Sequence, residues 1–243
     1  MRIKINFSNN TEKVPNNMSV VNSFIHRCLG TNNGYHDKPS DYCTTKLMNG
    51  SVVDGGKYLN FNNNGFIIIS SPYSDFINKI AAAIVINGIN IGYGMNFIGI
   101  DNINDKIYDG YNYFKTTENG ILLKNRDYNK GDDFKTKYIN FDNPNYVDLL
   151  KEHTIKKFSK INPKLDFSGF DIKLNVNNKS KIQKVMVNET PNFSSVLQLT
   201  LYGNKKLIKT IYDYGLGQST GSGFGLVYNT KNHALWYKNT SLR

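Results

Sequence analysis

The 243-residue chain contains no run of eighteen apolar residues, so the sequence predicts no membrane-spanning helix. Its only cysteines, Cys28 and Cys43, are too few for a disulfide framework and favour a reducing compartment. The first residues alternate like a strand and lack the basic and apolar regions of a signal peptide. These absences predict a cytoplasmic location and no membrane partner.

Several motifs of catalytic and cofactor sites are also missing. There is no paired CxxC and no HExxH, so a zinc site is not expected. A glycine-rich stretch near the C-terminus lacks the Lys-Ser/Thr of a P-loop and follows a helical pattern, not a strand. The sequence therefore predicts no metal and no other cofactor.

Arginine is scarce, because only four of the 30 basic residues are arginine. Residues 1–110 carry 9 Lys and Arg against 8 Asp and Glu, whereas residues 111–243 carry 21 against 11. Nearly all of the net charge of +11 therefore lies in the second half. A lysine-rich half attracts a polyanion through phosphate contacts, although a merely solvated lysine surface fits the same count.

Hydrophobic periodicity predicts an α+β fold of two tandem ferredoxin-like domains, a scaffold shared with RNA-recognition motifs. We expect strands at 2–7, 42–48, 51–59, 65–70 and 89–101 and helices at 18–29 and 74–87 in a first domain, residues 1–104. In a second domain, residues 105–243, we expect strands at 107–115, 121–126, 167–175, 181–188, 194–202 and 224–229, helices at 144–159 and 204–214, and a hairpin at 232–237. An aromatic RNP signature is missing, so base stacking on a sheet face is not expected.

Two Gly-hydrophobic-Gly units, Gly215-Leu216-Gly217 and Gly223-Phe224-Gly225, stand five residues apart. Glycine allows positive φ and close backbone approach, so this pattern fits either a phosphate-binding loop or a tight connection between a helix and a strand. The motif resembles the C-terminal glycine-rich loop of the CRISPR repeat-processing endoribonucleases. The resemblance extends to residues 199–203 and 207–214 and to the first strand, residues 1–7.

This resemblance implies metal-independent cleavage of CRISPR repeat RNA by attack of a 2′-OH on the adjacent phosphate. His26, late in the first helix, is similar to the family's helix-borne active-site residue, and His36 matches its loop histidine. Family members often carry a basic residue shortly after that histidine. Here Ser40 and Asp41 occupy the region, so Lys38 or Lys46 would supply the catalytic charge.

The glycine loop is the predicted RNA-binding element. Unlike many family members, it has no lysine or arginine inside it, and lysines of the preceding helix would compensate. The predicted RNA-binding residues are Gly215, Gly217, Gln218, Ser219, Thr220, Gly221, Ser222, Gly223 and Gly225 with Lys205, Lys206 and Lys209.

The sequence is compatible with three functions. The leading one is an endoribonuclease that makes guide RNAs and passes its product to subunits of a CRISPR interference complex. The second is a non-catalytic repeat-RNA-binding subunit of the same superfamily, and the third is a general nucleic-acid-binding protein. The sequence does not decide whether the chain forms a homodimer or which histidine is acid and which is base.

Overall fold

The computed structural model describes residues 1–8, 12–30, 33, 40–125 and 138–229. The sequence predictions that fall on His36, Lys38 and the hairpin at 232–237 lie outside these residues. Within them, helices and strands paired antiparallel throughout form two four-stranded sheets, a three-stranded sheet and a hairpin. The predicted α+β class is confirmed.

The described residues of the first half form seven strands and two α-helices. The strands are β1 (Arg2–Phe7), β2 (Val14–Pro15), β3 (Cys43–Thr44), β4 (Ser51–Val53), β5 (Tyr58–Asn60), β6 (Gly65–Ser70) and β7 (Phe97–Asn102), and the helices are α1 (Met18–Leu29) and α2 (Ser74–Val85). Its main sheet has the order β3-β6-β1-β7, and β2, β5 and β4 form the small sheet.

The second half repeats the arrangement. It contains β8 (Gly110–Thr116), α3 (Tyr146–Ile161), β9 (Asp171–Leu174), β10 (Lys181–Val187), β11 (Thr190–Val196), β12 (Gln198–Gly203), α4 (Lys205–Tyr214) and β13 (Val227–Asn229). Its sheet has the order β13-β8-β12-β9. In both sheets the first strand of the unit lies between the third and the fourth, which is the ferredoxin-like order, so the predicted tandem fold is confirmed.

Several predicted strands differ from the structure. The strand expected at 51–59 is two strands, β4 and β5, which pair with each other, and the strand expected at 42–48 is reduced to Cys43–Thr44. The strand expected at 89–101 begins only at Phe97. Of the strand expected at 121–126 the structure describes residues 121–125, which form only isolated bridges such as Ile121 with Ser195. The strand expected at 194–202 is split at Leu197 between β11 and β12, which pair with different partners. Hydrophobic alternation gives no signal for a change of pairing partner, because it reports burial alone.

The two halves share buried surface. Ile3, Ile5 and Phe7 face the core under α1 and α2, while the opposite face of β6 packs Phe66 and Ile68. Leu226 and Tyr228, from the end of the second half, contact that opposite face. The hairpin β10–β11 also reaches across the chain, because Val185 joins the first core. Asn17 Nδ2 donates to the Asn188 carbonyl at 2.6 Å and fixes the hairpin to the start of α1.

Candidate functional site

The glycine segment, residues 215–225, begins where α4 ends and lies almost entirely inside the protein. Four of its glycines have positive φ: Gly215 (81°), Gly217 (80°), Gly223 (90°) and Gly225 (73°). Of its side chains, Ser219 is exposed and Gln218 and Ser222 are half-buried, whereas Leu216 and Phe224 are core residues. The segment therefore presents only its central turn to solvent.

Most of the backbone amides that could have cradled a phosphate are used inside the protein. Leu216 N–H donates to Gly225 O at 2.8 Å, and Gly225 N–H donates to Gly120 O at 2.8 Å. Gln218 N–H donates to Leu122 O at 2.9 Å. The backbone N–H groups of Gly215, Ser222 and Gly223 also donate to backbone carbonyls. This leaves the turn, residues 218–222, as the part of the segment that could contact RNA.

The glycines allow the segment to pack closely against the first half of the chain. A Cβ on Gly221 would lie 2.2 Å from Ser40 Oγ, and one on Gly223 would lie 2.3 Å from Met18 Cε. A Cβ on Gly215 would lie 2.9 Å from Cys43 Cβ. Close contact with residues 40–43 and with the start of α1 therefore accounts for Gly215, Gly221 and Gly223, whereas Gly217 and Gly225 are crowded by Leu122 and Leu216 of the second half itself.

Lys157 belongs to the site, although the sequence did not predict a role for it. It lies on α3, and its Nζ donates to the carbonyl oxygens of Gly215 at 3.3 Å and Gly217 at 3.5 Å. Burial lowers the pKa of Lys157 to about 8, against the opposing influence of Cys43 and Asp41. The sequence around Lys157 does not predict a contact with the glycine segment, because that segment is nearly sixty residues away along the chain.

His26 lies in the last turn of α1 and is half-buried. It lines an open cavity of about 660 Å³ together with Arg27, Gly30 and residues 87–90, which connect α2 to β7. Arg27 fixes one wall, because its Nη2 donates to Asn90 O at 3.1 Å. The imidazole thus borders the cavity, although its Nδ1 is buried.

His26 and the glycine segment lie at different places along α1. Met18, at the start of the helix, approaches Gly223, whereas His26 follows eight residues later, about 12 Å along the helix axis. The described structure thus does not bring His26 into contact with the segment. Residues 40–42, which follow the predicted catalytic loop, do contact it through Gly221.

The predicted lysines that the structure describes, Lys46, Lys205, Lys206 and Lys209, do not line the cavity of His26. Lys46 Nζ lies 2.6 Å from a Glu118 carboxylate oxygen, and both residues line a groove of about 920 Å³ between the halves. Lys205 and Lys206 are exposed at the start of α4. Lys209 forms an ion pair with Asp213 one turn later and is half-buried.

The described residues contain neither a candidate membrane-spanning helix nor a candidate metal-binding cluster. Their helices include none that is both long and apolar enough to cross a bilayer. The histidine, cysteine and acidic side chains placed by the structure form no group of three or more that could hold a metal ion.

Comparison with solved structures supports the fold. The chain is similar to a Cas6-related protein of Pyrococcus furiosus, with a TM-score of 0.78 and 21% identity over 94% of this chain and 97% of that one. It is also similar to a structure named CRISPR associated protein Cas6, with a TM-score of 0.73 and 21% identity over 95% and 99% of the two chains. A third is a RAMP protein that binds different RNA substrates, with a TM-score of 0.75 and 20% identity over 93% and 98%. No curated protein matches the sequence.

The family itself is shown by the sequence. The family model for CRISPR associated protein Cas6, C-terminal, matches residues 103–228, which is more than half of the chain and contains the whole glycine segment. Together with the two ferredoxin-like sheets, this match means that the chain belongs to the Cas6 family of CRISPR-associated proteins.

Proposed function

We propose that this protein is an endoribonuclease that cuts the repeat RNA of a CRISPR transcript into guide RNAs. The observation that carries the proposal is family membership over residues 103–228. RNA as the ligand is supported by the similar RAMP protein that binds different RNA substrates and by the excess of lysine after residue 110.

The chemistry proposed is metal-independent transfer of a phosphate within the RNA. A base removes the proton of a 2′-OH, the 2′-oxygen attacks the adjacent phosphorus, and the bond from phosphorus to the 5′-oxygen breaks. An acid protonates the leaving 5′-oxygen, which gives a 2′,3′-cyclic phosphate and a 5′-OH. Imidazoles suit both roles, because an unperturbed histidine titrates near neutral pH.

We assign these roles jointly to His26 and His36. His26 lines an open cavity at the end of α1, and the chain that carries His36 leaves from that same helix end at Gly30. His36 lies outside the described residues, so its position beside His26 is part of the proposal. Lys38 or Lys46 would supply charge to the transition state, and Lys46 would first have to leave its ion pair with Glu118.

RNA would be held by the exposed turn of the glycine segment and by the lysines at the start of α4. Gln218, Ser219 and Ser222 offer polar side chains there, and Lys205 and Lys206 are free to approach phosphates from solvent. The remaining residues of the segment would act by holding this turn against residues 40–42.

The test uses end-labelled RNA with the host's CRISPR repeat, in excess EDTA. The expected result is one cut per repeat with a 2′,3′-cyclic phosphate end. His36→Ala is expected to abolish cutting and leave the Kd for RNA within about twofold, since general acid–base groups contribute roughly 10²–10⁴-fold to rate. His153→Ala, a histidine on α3, is the matched control and should cut at the wild-type rate. Cutting at the wild-type rate by His36→Ala would show that His36 is not a catalytic residue.

A second candidate is a non-catalytic subunit that binds the same repeat RNA. It is favoured by the ion pair that occupies Lys46 and by the lack of charged side chains at 215–225. Tight, repeat-specific binding by the wild type without any cut would select this function. Equal affinity for repeat RNA, scrambled RNA and DNA would select general nucleic-acid binding instead.

A further inference from the structure

Three tyrosines lie together on the uncovered face of the second four-stranded sheet. Tyr111 and Tyr113 are two residues apart on β8 and therefore point to the same face. Tyr202 on β12 is paired directly with Tyr111, so it shares that face. The intervening residues Asn112 and Phe114 are buried on the opposite side.

The three rings form a continuous group that remains in contact with water. The Tyr111 and Tyr113 ring centroids are 5.6 Å apart with the planes at 80°, and those of Tyr111 and Tyr202 are 6.4 Å apart at 42°. Tyr111 and Tyr113 are each 55% exposed. β8 is an inner strand between β13 and β12, so these rings lie over the middle of the sheet and not along its edge.

Within the described residues, this face is left open except at one end. The described helices pack on the other face, where Phe114 and Leu199 lie in the second core with Ile211. Tyr228, opposite Lys115 on the open face, is buried in a cluster with Phe66 of the first sheet. The tyrosines therefore lie beside the corner where the two sheets meet.

Basic side chains accompany the rings. Lys115 follows Tyr113 by two residues and so shares its face. Lys173 on β9 is paired with Thr200, which is itself paired with Tyr113. The acidic residue on this face, Asp171, is bound by Lys151 at 3.1 Å. The surface thus combines aromatic rings with ammonium groups, which complements bases and phosphates in one ligand.

We propose that Tyr111, Tyr113 and Tyr202 form a stacking surface for unpaired bases of single-stranded RNA. Exposed aromatic side chains on a sheet bind RNA by stacking on bases, and flanking lysines neutralise its phosphates. The sequence gives no RNP signature, because the third ring comes from a strand about ninety residues away and joins the others only through the register of β12 on β8. The inference rests on the proposed function for the source of the RNA, namely an unpaired part of the repeat.

The test measures the Kd for single-stranded repeat RNA with tyrosines replaced by threonine, a residue that also favours strands. The Tyr111→Thr/Tyr113→Thr variant is expected to raise the Kd by about tenfold or more for each ring, and Tyr111→Phe/Tyr113→Phe by less than about twofold. Ile182→Thr, at a position 41% exposed on β10, is the control and should bind as the wild type does. A ribose-phosphate oligomer of the same length without bases should bind the wild type and the threonine variant equally.

Unfolding curves accompany each variant, and Tyr113→Ala alone replaces the double variant if that variant does not fold. An unchanged Kd for the threonine variant would overturn the stacking surface while leaving repeat cutting intact. An equal loss of affinity for the oligomer without bases would also overturn it, since bases would then not be the ligand. If the wild type binds repeat RNA without cutting it, and the threonine variant binds more weakly, the stacking surface is supported. The proposed nuclease function is then wrong.

Discussion

The guanidinium of Arg2, the first residue of β1, lies over the ring of Tyr212 in α4, with Cζ 3.5 Å from the ring centroid. Its Nη2 donates to Tyr212 O at 2.6 Å, and its Nη1 donates to Val227 O at 2.7 Å. Arg2 is only 2% exposed. The buried guanidinium of Arg2 therefore connects β1 to α4 and to β13 of the second half.

We predict that Arg2→Ala strongly destabilises the protein. It would leave two buried carbonyl groups without their donors and remove the cation–π contact, for a loss of about 3 kcal/mol in the free energy of unfolding. Arg2→Lys should recover only part of this stability, because an ammonium group lacks the planar arrangement of donors that a guanidinium has. Urea unfolding measures both variants, and an unchanged midpoint for Arg2→Ala would show that this contact contributes little.

Gly225→Ala should be more damaging than an alanine at another glycine of similar φ. The Cβ would lie 1.9 Å from Leu216 O, a backbone atom, and Gly225 has φ of 73°. We expect a loss of about 3 kcal/mol or more. Gly56 has φ of 93° with no atom within 4 Å of its Cβ, so Gly56→Ala is the matched control and should cost about 1 kcal/mol from backbone strain alone. Equal losses in thermal or urea unfolding would contradict the steric argument.

The contact between Gly221 and Ser40 should couple the glycine segment to the predicted catalytic loop. Gly221→Ala would place a Cβ 2.2 Å from Ser40 Oγ and 2.7 Å from its Cβ, so we expect the melting temperature to fall by about 5 °C and repeat cutting to slow. The Gly221→Ala/Ser40→Gly variant lacks both the Oγ and the Cβ of Ser40. Its melting temperature and its rate of repeat cutting should therefore recover in part. Additive effects in this double-mutant cycle would mean that the two positions act independently.

The lowered pKa of Lys157 predicts a pH-dependent contribution to stability. The folded protein releases this proton near pH 8, whereas the unfolded chain holds it to about pH 10.5, so the unfolded state binds more protons between these values. The cost of burying the charge is thus fully present below about pH 8 and declines as the pH rises from 8 to 10.5. The unfolding free energy of the wild type relative to Lys157→Met should therefore increase over this window. A constant difference in urea unfolding from pH 7 to 10 would show that Lys157 titrates normally.

Local sequence patterns predicted much of the fold. The alternation of Ile3, Ile5 and Phe7 gave β1, and the apolar spacing after Asn17 predicted α1 at the residues where the structure has it. Both patterns depend only on which side of one element is buried, so they can be read without a partner. Strand boundaries were less predictable: the turn of residues 89–96 and the break at Leu197 depend on pairing between distant strands.

The site was predictable only in its residue types. The sequence alone determined the glycine pattern, the histidines of the first half, the basic second half and the family resemblance, because each is a property of composition or spacing. Tertiary structure decided that the glycines pack against Ser40 and Met18, that Lys157 binds the carbonyls of their segment, and that Tyr202 joins Tyr111. These contacts join residues far apart along the chain, and their geometry is set by sheet register and helix packing, which no local pattern encodes.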